Sequence, residues 1–278
     1  MSKSVSILFC LLPIFCSGQV KIDDSAIALF WEVADTLIAD QQPSAPLWEK
    51  LAKHPAYAQI ERSGNRVRYL KRVLPIVFQP SKQEKLQEIL NGPESFNQYL
   101  ARHLLEIKTR RNELAAFLKG GNFNSYKNAY QASLSYLPDD ITAETIDLSI
   151  YLALFEENGF GGTSIVIDLL ALLKNPEEEN RDFIAHEFHH ALRDASMVKK
   201  VFQPIDTTML PLTTALDKLP LEGVASMIDK NKYFSEAYQK KLSTLPLAQQ
   251  ESVAEFQVLM ETINANLGKI DAILSSQE

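Results

Sequence analysis

The sequence predicts a mainly α fold with a small β component, α+β in class. Three observations carry this. Apolar residues recur at helical spacing over most of the 278 residues. Glycine and proline punctuation cuts those stretches into helix-sized pieces. One short β-branched run, Thr163-Ser164-Ile165-Val166-Ile167-Asp168, interrupts them and reads as a strand.

The first eighteen residues stand apart. Lys3 supplies a positive start, Ser6 to Phe15 is apolar but too short to span a bilayer, and Cys16-Ser17-Gly18 places small residues where a signal peptidase cuts. We expect a cleaved secretory signal over 1–18, a mature start at Gln19, and a secreted or periplasmic protein. The alternative is a lipoprotein anchored through Cys16, although Phe15 stands where a small residue is usual. Both cysteines, Cys10 and Cys16, lie in this segment. The mature chain would then have no disulfide and no thiolate, so a metal must be held by His, Asp or Glu. No other apolar run approaches the length of a membrane span.

Helical patterns follow in order. Ser25 to Ala39 carries a stripe of Ala26, Leu29, Phe30, Val33, Leu37 and Ile38, broken by Pro43 and Pro46. A second helix starts near Leu47, and Gly64-Asn65 is a turn. Gly92-Pro93 opens a helix expected to run to Leu118, stopped by Gly120-Gly121. Two more are expected over Ser125 to Tyr136 and Thr142 to Phe155. The glycine-rich turn Asn158-Gly159-Phe160-Gly161-Gly162 precedes the strand. A helix over Glu177 to Ala195 comes next, then a short one from Pro220 to Asp229 and a long one from Leu247 to Leu274. We expect a helical N-terminal region over 19–120 and a metal-binding, catalytic region over 121–278. The net charge of -7 and the lack of a long basic cluster argue against nucleic acid as a partner.

The chemistry is concentrated in His186-Glu187-Phe188-His189-His190. Each helical residue turns about 100°, so His186 and His190 point the same way, one turn apart. That spacing lets two imidazoles meet one metal ion. Glu187 lies beside them, in reach of a water without being a ligand. Phe188 faces the other way, with Ile184, Ala191, Leu192 and Ala195, and should anchor the helix to the core. His-Glu-x-x-His carries a known mechanics: two imidazoles leave Zn²⁺ open positions, the metal acidifies a water, and the glutamate takes its proton. His189 falls on the other flank and reads as a supporting or cleft-wall residue. No histidine follows His190, so a third ligand should be a carboxylate. Glu222 is the best candidate, near a helix start marked by Pro220 and among the small residues Gly223, Ala225 and Ser226. The bland alternative is a carboxylate favoured by the helix dipole.

His-Glu-x-x-His followed by Glu222-Gly223-Val224-Ala225 resembles the gluzincin metallopeptidases, which include thermolysin-like peptidases and related aminopeptidases. Together with the leader and the strand, it also resembles an uncharacterised bacterial group of secreted proteins taken to be zinc-dependent peptidases. The likeness covers about Gly159 to Asp229. It implies a zincin-like helical domain with a small β-sheet whose edge strand precedes the motif helix. It implies one Zn²⁺ per chain on His186, His190 and Glu222, with Glu187 as general base. The substrate would be a peptide or protein, pairing with an edge strand over Ser164, Ile165, Val166, Ile167 and Asp168.

The departures concern transition-state stabilisation. Related enzymes supply a downstream Tyr or His donor for the oxyanion. Tyr233 and Tyr238 are the tyrosines available after the motif, and packing is their commoner use. Arg193 is a further candidate donor, with Asp194 as its plain ion-pair partner. Asp194 and Asp229 could orient the ligand histidines, or sit on the helix surface. The Gly-x-Met-Glu-Asn aminopeptidase motif is absent. A non-catalytic zinc-binding protein on a gluzincin-like scaffold and a helical secreted binding protein are the alternatives to a hydrolase.

Overall fold

Asp23 turns the chain from its first strand into its first helix. Strand β1 (Lys21–Asp23) ends there, and the Asp23 carboxylate accepts from Ser25 N at 2.9 Å at the start of α1 (Ser25–Ile38). Ala26, Ile27, Leu29, Phe30, Val33, Ala34 and Leu37 form the buried stripe of α1. Asp40, in the left-handed region at φ 59°, stops the chain from continuing as helix. Ser44 then caps α2 (Ala45–Lys53) by accepting from Leu47 N, with Pro46 in its first turn.

The computed structural model describes residues 20–62, 66–121, 123, 126, 129–137, 148–156, 159–162 and 164–197, and positions 225, 228, 254, 258 and 261. The helical half continues with α3 (Pro55–Arg62), α4 (Arg66–Phe78), a 3₁₀ turn (Pro80–Lys82), α5 (Gln83–Asn91), α6 (Phe96–Thr109), α7 (Arg111–Gly120) and α8 (Ala129–Leu134). The expected helix from Gly92-Pro93 to Leu118 is thus two. Ser95 caps α6, accepting from Gln98 N at 3.3 Å, and the chain breaks at Arg110 before α7.

Strands β2 (Ser149–Ala153), β3 (Gly159–Phe160) and β4 (Ile165–Asp168) join β1 in a mixed sheet of order β1-β2-β4-β3. β1 and β4 run parallel to β2, whereas β3 is antiparallel to β4. A short helix α9 (Leu169–Lys174) and the long α10 (Glu177–Met197) follow. The fold is therefore mainly helical with a small sheet, α+β as expected.

Two further expectations are corrected. The stretch over Thr142 to Phe155 is not a helix in its described part, because Ser149–Ala153 is β2. Its first four residues alternate between half-exposed and buried, the period of a strand lying between β1 and β4. The run Ser164, Ile165, Val166, Ile167 and Asp168 is not an edge strand. Ser164 precedes β4, and β4 has β2 on one side and β3 on the other, with all four of its residues buried. Among the described residues the edge strands are β1 and β3, and β3 lies in the glycine-rich segment expected to be a turn.

Met1–Ile228 forms one compact unit and Asp229–Glu278 a second. In the first, β1 from before Gly120-Gly121 and β2 from after it are neighbours in one sheet. Its core joins α1, α4 and α6 to the strands and to the buried face of α10. In the second, Ala254, Val258 and Glu261 are helical. The expected leader over 1–18, Gln19 and the expected turn at Gly64-Asn65 lie outside the described residues.

Candidate metal centre

The site is set by how α10 is held. Glu177, Glu178 and Glu179 stand in its first turn, where the helix dipole favours negative charge. Asn180 is buried, and its Nδ2 donates to Leu172 O at 2.8 Å, Asn175 O at 3.3 Å and the Tyr126 hydroxyl at 3.2 Å. That ties the start of α10 to α9. Further along, Ile184, Phe188, Ala191 and Leu192 are fully buried, on the face that helical periodicity assigns to the core. Phe188 meets the Tyr130 ring edge-on at 5.5 Å, and Ser133 Oγ donates to Ala185 O at 2.6 Å, so α8 clamps the apolar face.

The opposite edge carries the histidines. His186 Nε2 and His190 Nε2 converge to 3.1 Å, with ring centroids 4.8 Å apart. Two imidazoles on one tetrahedral zinc place their nitrogens about 3.3 Å apart, given Zn–N bonds of about 2.05 Å. The pair is thus already at ligating separation.

Glu187 is only 5% exposed. The glycine-rich segment lies over it. A Cβ at Gly159 would stand 2.9 Å from Glu187 Cγ, and one at Gly161 would stand 2.6 Å from both Glu187 O and His190 Cβ. Glycine at 161 is therefore a requirement of close approach, since backbone and a Cβ cannot rotate aside. A Cβ at Gly161 would also stand 3.3 Å from Glu187 Oε2, so the carboxylate sits beneath the turn.

His189, read as a supporting or cleft-wall residue, is buried, 2% exposed. Neither of its ring nitrogens has a hydrogen-bond partner among the described residues. Burial first, then the charges of Arg193 and His186, pull its pKa down to about 4, so the ring is neutral at neutral pH. Arg193 is half-buried one turn beyond it. Asp194 is helical, but its side chain lies outside the described part, as do Glu222, Asp229, Tyr233 and Tyr238 altogether. Ala225 and Ile228, in the segment after Glu222, are helical; Ala225 is fully buried and Ile228 packs on the core. Among the described residues no group of three His, Cys, Asp or Glu is arranged to hold a metal.

A family model described as "Putative zinc dependent peptidase (DUF5700)" matches residues 48–277. The chain belongs to this family. The match runs from within α2 to the end of α10 and beyond, so the family takes in both His186-Glu187-Phe188-His189-His190 and Glu222 and leaves out β1 and α1. No curated protein and no solved structure matches the chain. Two converging imidazoles with a buried carboxylate next to them are side chains whose chemistry suits the metal in the family's description.

Several residues around His186-Glu187-Phe188-His189-His190 carry no signal in the sequence. Gln59 Nε2 donates to Gly161 O at 3.3 Å, and the Tyr57 hydroxyl donates to Leu154 O at 3.0 Å. Asp168 is fully buried; it accepts from Phe155 N at 2.9 Å and Ala171 N at 3.0 Å, with His103 Nε2 at 3.3 Å. Its role is to cap α9 and hold the β2 end. Glycines 159 and 161 are the one visible trace, as a glycine-rich turn.

Proposed function

We propose that the chain is an exported gluzincin-type zinc metallopeptidase. His186, His190 and Glu222 hold one Zn²⁺, and Glu187 is the general base in hydrolysis of peptide bonds. The observation that carries this reading is the convergence of His186 Nε2 and His190 Nε2 at 3.1 Å beside a buried Glu187. Family membership supports it.

Bound zinc supplies Lewis acidity, lowering the pKa of water and polarising the attacked carbonyl. Glu187 takes a proton from the attacking water as its oxygen bonds to the carbonyl carbon. It then gives that proton to the amine nitrogen as the C–N bond breaks, releasing a carboxylate and an amine. Burial of Glu187 under the Gly159–Gly162 segment keeps bulk water from the carboxylate and limits its rotamers. β3, at the sheet edge among the described residues, takes the substrate-pairing role expected of β4. The leader over 1–18 supports export, with cleavage near Gly18/Gln19 or lipidation at Cys16 as the two routes; the mass of the processed protein separates them.

Glu187→Gln tests the mechanism. It should keep zinc and lose hydrolysis of an unstructured protein such as casein by about 10²–10⁴-fold, the usual worth of a general base. Equal activity in wild type and variant would remove Glu187 from the chemistry.

A further inference from the structure

The turn between β3 and β4 is held from two sides. On one side lies α10, with Glu187 O and His190 Cβ at the limit of contact with Gly161. On the other lies α3, whose Gln59 is 5% exposed and donates Nε2–H to Gly161 O at 3.3 Å. The fit is close: a Cβ at Gly162 would come within 2.2 Å of the same Nε2. Tyr57, two residues earlier on α3, donates its hydroxyl to Leu154 O in the stretch between β2 and β3. Gln59 and Tyr57 are both buried, so bulk water does not compete for either hydrogen bond.

We propose that Gln59 is a positioning residue for the hydrolytic site. By holding Gly161 it keeps the turn seated on α10, and the seated turn fixes the side chain of Glu187. The proposal rests on the zinc-peptidase reading above. A neutral amide suits this position because it offers a donor to a buried carbonyl without bringing a charge beside the imidazoles. Gln59 touches no reacting atom, so its effect should fall on turnover and on the order of the turn, not on the metal.

Four variants test this: Gln59→Met, which keeps reach and removes the donor; Gly162→Ala, which pushes the amide off Gly161 O; Gln59→Ala; and the pair Gln59→Ala/Gly162→Ala. In Gln59→Met, kcat should fall about 10–100-fold, the scale of a slightly misplaced catalytic group, with KM little changed. Zinc affinity, read by chelator competition, should stay at the wild-type value. Amide exchange of residues 159–162 in zinc-free protein should quicken about fivefold, the worth of one hydrogen bond, while α6 is unaffected. Gly162→Ala should reproduce these changes. The pair should be no worse than Gln59→Ala alone, because the shortened side chain leaves room for the methyl. Wild-type kcat, wild-type exchange at 159–162, or additive losses in the pair would overturn the proposal. A wild-type protein without zinc or hydrolysis would instead defeat the zinc-peptidase reading, and the zinc-free exchange comparison would still decide whether Gln59 holds the turn.

Discussion

Gly161 is the residue on which the site's geometry turns. A methyl there meets Glu187 O and His190 Cβ at 2.6 Å, and neither can swing away. Gly161→Ala should therefore lift the turn, lower kcat about 10–100-fold and destabilise the fold by about 1–3 kcal/mol through overpacking. Steady-state kinetics and urea unfolding check both; wild-type values in both would contradict the packing described. Gly120 is the matched control, since a Cβ there meets nothing within 4 Å. Gly120→Ala should leave activity alone and change stability by less than about 1 kcal/mol. The contrast shows why glycine count in the sequence says little, and why the neighbour each glycine faces says much.

At the scale of elements, α10 is placed by its start and its apolar face. Asn180→Ala removes a buried donor from three acceptors, Leu172 O, Asn175 O and the Tyr126 hydroxyl. It should cost about 1–3 kcal/mol, read by urea unfolding, and a neutral result would show that α9 and α10 are tied by packing alone. The helix is legible in the sequence because its signals are local. Acids in the first turn, an apolar stripe and histidines four apart are all read within one element. β4 is legible as a strand for the same reason, yet its place in the sheet is not. Whether it lies at the edge depends on Gly159-Phe160 pairing beside it, and two residues carry no periodicity. β2 hides in a helical pattern because Leu148, Leu152 and Phe155 also fit helical spacing; pairing with β1 and β4 overrides that weak preference. Gln59 is illegible because its partner Gly161 lies 102 residues away.

At the scale of the molecule, the helical N-terminal half holds the segment between β2 and β4 that covers the motif. α3 reaches Leu154 and Gly161, and Arg66 of α4 reaches Glu156 at 3.2 Å. Glu156 is 4% exposed, and its burial raises its pKa above the ordinary 4.5, with Arg66 opposing. A carboxyl raised in the folded state binds protons that the unfolded state has released. Wild type should thus lose stability relative to Glu156→Gln as pH rises from 4.5 through the raised value, and the gap should level off above it. Urea unfolding across that range checks the sign, and a gap that stays constant or widens as pH falls would contradict it. The same segment carries Gly159 and Gly161 to α10, so the scaffold and the candidate metal centre are coupled. The central claim is that His186 and His190, with Glu222, hold zinc. Its most direct measurement is the metal content of the purified wild type beside His190→Ala and Glu222→Ala. One zinc per wild-type chain, lost from both variants, is the expected result. A wild type without stoichiometric zinc, or a His190→Ala variant that keeps it, would contradict the claim.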